Sequence, residues 1–111
     1  METTKPNEIP NLLREKLHDK TVRVTFTQWE GDFSDDEERI SQFIGTLIET
    51  SVNDNEFSGL DGAFHFQLEQ EEEIIEILMD FPMDGEDVVA VSKEDEIQLF
   101  GNESMLRLEK L

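Results

Sequence analysis

Thr21 to Gln28 alternates without a break, with Val22, Val24 and Phe26 on one side and Thr21, Arg23, Thr25 and Thr27 on the other. A β-branched run with period two predicts a strand buried on one face. The same period returns in Ala63 to Glu69, where Phe64, Phe66 and Leu68 oppose His65 and Gln67. It returns again in Ile74 to Phe81, which sets Ile75, Ile77 and Met79 against Ile74, Glu76, Leu78 and Asp80 before Pro82 ends the run. Short strands follow at Val88 to Val91 and Ile97 to Phe100, joined by the charged tip Lys93 to Glu96. A weaker alternation closes the chain, in which Leu106 and Leu108 share a row while Met105 and Leu111 fall in the polar row with Arg107 and Glu109. The second half therefore reads as an antiparallel meander.

Two stretches follow another period. Between Asn7 and Lys20, Ile9, Leu12, Leu13 and Leu17 recur at helical spacing, with Asn7 available as a cap, Pro10 in the first turn, and Lys16, His18 and Lys20 where cations suit a helix C-terminus. From Trp29 to Val52 the pattern supports two readings. Ser34-Asp35-Asp36-Glu37 is a capping box, and Ile40, Phe43, Ile44, Leu47 and Ile48 lie on one helical face, which predicts a second helix. The Ile, Thr, Phe and Val content, the mid-segment Gly45 and the row Ile44, Thr46, Ile48, Thr50, Val52 predict a long strand instead. The capping signal is independent of periodicity and favours the helix.

The expected fold is thus α+β, an antiparallel sheet of about five strands packed by an N-terminal helix and a second helix. The strand reading of residues 40–52 leads to the alternative, a small SH3- or Sm-like barrel with one N-terminal helix. That likeness is one of element order only. Residues 1–6 are expected to be disordered, residues 7–111 to form a single acidic domain, and Asn53 to Gly62 to form a loop.

Charge changes the picture most. Nine Lys and Arg against 28 Asp and Glu give a net charge of −19, spread along the whole chain. Such a field disfavours direct contact with nucleic acid or an anionic membrane and attracts cationic surfaces, many of which belong to proteins that bind nucleic acid. The absence of cysteine excludes a disulfide framework and thiolate chemistry, the first residues lack a signal-peptide pattern, and no apolar run reaches the ~20 residues of a membrane helix. A cytoplasmic protein is expected.

Catalytic patterns are missing: there is no phosphate loop, nucleophile elbow or nucleotide fingerprint, and His18 and His65 stand apart from any nucleophile or metal-spaced ligand. Among the acids only Glu76 and Asp80 interleave with apolar residues on a strand face. Asp32, Ser34, Asp36 and Glu38 place oxygens at alternate positions, and Asp84 to Asp87 is equally dense, but neither matches an EF-hand loop. No enzyme activity, metal or cofactor is expected.

What remains is a binding surface. Trp29 and Phe57 are the candidate apolar anchors, since tryptophan is enriched among interface hot spots. Glu30, Asp32, Asp35, Asp36, Glu37 and Glu38 form the first acidic cluster, Glu69, Glu71, Glu72 and Glu73 the second, and Asp84, Glu86 and Asp87 the third. Duplex DNA carries one charge per roughly 1.7 Å of axis, so ordered carboxylates can compete for a site built to hold phosphates. The expected function is a non-enzymatic acidic binding or inhibitor protein that docks on a basic surface of a partner protein, in the manner of a DNA mimic, an immunity protein or a phage-type anti-defence protein. The alternative is a structural subunit or adaptor that self-associates or joins an assembly through strand edges.

Overall fold

A computed structural model describes residues 2–17, 20–29, 38–54, 59–82 and 87–111. Its strands are β1 (Glu2–Thr3), β2 (Thr21–Trp29), β3 (Glu38–Asp54), β4 (Gly59–Leu68), β5 (Ile74–Pro82), β6 (Ala90–Ser92), β7 (Glu96–Phe100) and β8 (Ser104–Lys110). A 3-10 turn at Pro6–Glu8 leads into the helix α1, Ile9–Leu17. All eight strands belong to one antiparallel sheet in the order β1-β6-β7-β8-β2-β3-β4-β5, so the sheet is larger than the expected five strands. No helix among the described residues is long and apolar enough to cross a membrane.

The second helix expected from the capping box is a strand over its described part. β3 runs for 17 residues, pairs with β2 from Glu38 to Thr46, and pairs with β4 from Gly45 to Asp54. Its β-branched content and Gly45 decide the matter. A Cβ at position 45 would lie 2.7 Å from the Gln67 carbonyl oxygen, so the two backbones approach more closely than any other residue permits. The register shifts between Leu47 and Glu49, where Ile48 is an inserted residue that changes the phase. Before it Phe43 and Leu47 pack on the core; after it Thr50 and Val52 do. Ile40, Ile44 and Ile48, three residues of the supposed helical stripe, are exposed on the outer face. The capping box itself lies outside the described residues.

Helix α1 matches the expected periodicity, burying Ile9, Leu12, Leu13 and Leu17, although Asn7 sits in the preceding 3-10 turn rather than capping. Residues 1–6, expected to be disordered, contain β1: Glu2 pairs with Val91, Thr3 with Ala90, and Thr3 and Pro6 are buried. The core joins α1 to the inward rows of β2, β4, β5, β7 and β8, with Phe64, Phe66 and Phe81 fully enclosed. Phe43 meets Phe66 edge to face at 5.6 Å between ring centroids.

The sheet folds back on itself at one end. The Asn102 N–H in the β7–β8 turn donates to the Asp80 carbonyl on β5 at 2.8 Å, although β5 and β1 remain the two edges of the sheet. Gly45→Ala is expected to lower stability by about 1–3 kcal/mol, the usual cost of overpacking a close contact, read as a lower urea midpoint with an unchanged slope.

Candidate functional site

The folded-back end gathers the last residue of β2, the start of β3, the beginning of β4, the end of β5 and the β7–β8 turn. Between them lies a cleft of about 430 Å³ lined by Gln28, Trp29, Arg39, Asp61, Leu78, Met79, Asp80, Glu103 and Ser104. Trp29 terminates β2, its backbone N–H donating to the Glu103 carbonyl at 2.9 Å, which fixes the indole at the rim. Its side chain is 44% exposed. Tryptophan is usually largely buried, so a half-open indole at a cleft mouth is informative.

Asp61 and Asp80 stand directly opposite each other on β4 and β5. Facing like charges at such a position repel unless they share a proton. The Asp80 carboxyl is accordingly held above its ordinary value of 3.8, first by its side-chain hydrogen bond with Asp61, then by desolvation and by the charges of Asp61 and Glu103. The cleft therefore presents an aromatic face beside three carboxyl groups, one guanidinium (Arg39) and the exposed Leu78, with the carboxyl groups in excess. This arrangement can accept an ammonium or guanidinium group, which gains from the carboxylates and from the indole face together.

Several basic side chains elsewhere are already engaged. Arg107 is ion-paired with Glu96 and lies 3.6 Å from Glu109, and Arg14 donates to the Thr50 carbonyl at 3.1 Å. His65 on β4 contacts Glu76 on β5 at 2.7 Å across the strands. Among the described residues, no three Asp, Glu, His or Cys side chains come together as a metal-binding group.

Of the residues singled out from sequence, the structure places Trp29 in the cleft. Glu69, Glu71, Glu72 and Glu73 are exposed in the β4–β5 turn, seven or more positions along the strands from the Asp61–Asp80 pair and hence roughly 23 Å or more away. Glu69 and Glu71 border a different groove, with Arg23, Phe43 and Ile44 on its other side. Asp87 is exposed ahead of β6. The backbone of Glu38 pairs with Trp29, while its side chain and the residues Glu30, Asp32, Asp35, Asp36, Glu37, Phe57, Asp84 and Glu86 lie outside the described residues. Sequence reasoning missed Asp61, which fell in a predicted loop, and Glu103, which fell between two predicted strands. Asp80 carried a signal, being an acid interleaved with apolar residues on a strand.

Because folding raises the Asp80 pKa, the folded chain binds that proton more tightly than the unfolded chain. Stability therefore falls as pH rises from 3.8 through the raised value, and the cost persists at neutral pH. Asp80→Asn, which keeps a donor toward Asp61, is expected to gain about 0.5 kcal/mol at pH 7 after allowance for solvent screening, measured by urea denaturation. The gain should vanish as pH falls to 3.8. Comparison with protein-family models, with curated proteins and with solved structures finds no match for this chain.

Proposed function

We propose that this chain is a non-enzymatic acidic binding protein that docks on a basic surface of a partner protein. The observation that carries the reading is Trp29, half-exposed at the rim of a cleft whose other walls include Asp61, Asp80 and Glu103. Net charge of −19 steers the chain toward cationic surfaces, and the indole supplies an apolar anchor once contact is made. An inhibitor of a protein that itself binds nucleic acid is the form of this function that follows from charge, since its carboxylates would occupy a phosphate-binding surface. In this reading the chain performs no reaction, and it works in the cytoplasm without a cofactor.

The position of β5 at the edge of the sheet, with no strand beyond it among the described residues, favours a second reading, a structural subunit that assembles through strand edges. Self-assembly must overcome the repulsion of two strongly acidic copies, so the docking reading ranks first.

Affinity capture from the native host at low salt, followed by stepwise salt elution and mass spectrometry, tests the proposal. Proteins with basic surfaces should be retained and should elute at moderate salt, as charge steering is screened beyond about 8 Å at physiological ionic strength. Trp29→Ala should weaken the captured interaction by about tenfold or more, the scale of a hot-spot truncation. Retention of acidic proteins alone, or salt-independent retention, would refute it; a stable oligomer in light scattering would support the subunit instead.

A further inference from the structure

The two edges of the sheet differ. One is β1, only two residues long and too short to pair with another chain. The other is β5, nine residues long. The direction of its backbone groups follows from its pairing with β4. The Leu68 N–H donates to the Glu73 carbonyl at the turn, so hydrogen-bonded pairs fall at every second position from there: Phe66 with Ile75, Phe64 with Ile77, Gly62 with Met79. Ile74, Glu76, Leu78 and Asp80 consequently turn their N–H and C=O groups away from β4. The contact from Asn102 to the Asp80 carbonyl agrees with this assignment. Among the described residues, nothing hydrogen-bonds the outward backbone groups of Ile74, Glu76 and Leu78.

Edges of this length are normally blunted by lysine, proline, a bulge or a covering loop. Here Pro82 comes only at the end of the strand, and Ile74 and Leu78 are 53% and 62% exposed on either side of Glu76. Alongside the edge runs a groove of about 450 Å³, with Phe26, Gln28, Ser41 and Phe43 on one wall and Ile75 to Leu78 on the other. Gln28 and Leu78 also line the Trp29 cleft, so the two depressions adjoin.

We propose that an extended partner segment in which basic and apolar residues alternate adds to β5 as a further strand, its apolar side chains in the groove and its basic ones on the outer face beside Glu76, Asp61 and Asp80. This rests on the docking reading and specifies the shape of the segment that docks. Main-chain bonds supply affinity in such strand addition, and alternate side chains supply specificity. Charge decides the occupant. A second copy would bring another net charge of −19 to the edge, whereas a basic segment meets Glu76, which His65 also contacts, and the adjoining cleft, where three acids outnumber Arg39.

The probe is a blocked peptide of about ten residues alternating lysine and valine, compared with a twin N-methylated on the amides of one edge. Fluorescence anisotropy at low salt should show the parent binding and the twin weaker by about tenfold, the loss of two or more hydrogen bonds. Leu78→Pro removes one outward N–H at an edge position where proline is tolerated, and should bind the parent several-fold more weakly than Leu78→Ala, which keeps that N–H. Equal binding of parent and twin, with Leu78→Pro no worse than Leu78→Ala, overturns strand addition and leaves salt-sensitive docking standing. Failure of the parent to bind at about 1 mM also overturns it, while Trp29-dependent capture of a basic protein would still uphold the docking reading.

Discussion

Membership of β3 in two ladders at once is the constraint on which the rest of the structure depends. Its first part is bound to β2 and its second to β4, with Gly45 and Thr46 paired on both sides. The absence of a Cβ at Gly45 permits the approach of Gln67, and the inserted Ile48 reverses which residues face the core. Register along β3 sets Trp29, opposite Glu38, and Asp61, opposite Asn53, at its two ends, and the fold-back through the Trp29–Glu103 and Asn102–Asp80 backbone bonds brings them into one cleft. Asp80 follows by its register with Asp61, and its carbonyl then meets the β7–β8 turn that carries Glu103.

That convergence is electrostatically unfavourable in isolation. Two aspartates face each other and a third acid lies nearby, which together with burial holds the Asp80 carboxyl above its ordinary value even though Arg39 lines the same cleft. A fold stable without this feature gains nothing from keeping it, and local conflicts of this kind concentrate where a surface has a task. A cation from a partner would lessen the same repulsion. The open β5 edge adjoins this site, so main-chain pairing and charge neutralisation act on adjoining surfaces rather than on separate patches.

Much of the framework was legible in the sequence. The strict alternation of Val22, Val24 and Phe26, of Phe64 and Phe66, and of Ile75, Ile77 and Met79 located β2, β4 and β5, and helical spacing located α1. β8 proved regular because Leu106 and Leu108 face inward and Met105 lies on the outer row with Arg107. β3 resisted because apolar residues stand on both of its faces, Ile40 and Ile44 outward and Phe43 and Leu47 inward, which gives an accidental helical spacing, and because the bulge at Ile48 then shifts its alternation. β1 resisted because two polar residues carry no period; tertiary pairing with β6 orders them. At the site, Trp29 stood out by type. Asp61 and Glu103 did not, since their proximity to Asp80 arises from cross-strand register and from the fold-back, neither of which is local in sequence. The run Glu69 to Glu73 was conspicuous for its density, yet it occupies the far end of β4 and β5.

Amide hydrogen exchange, read residue by residue on the wild-type chain with and without the alternating lysine–valine peptide, tests the account most directly. The account predicts new protection at the outward amides of Ile74, Glu76 and Leu78, accompanied by changes around Trp29 and Asp80, and little change in α1 or β7. Protection spread over α1 or β7, with the β5 edge exchanging as freely as before, would contradict it.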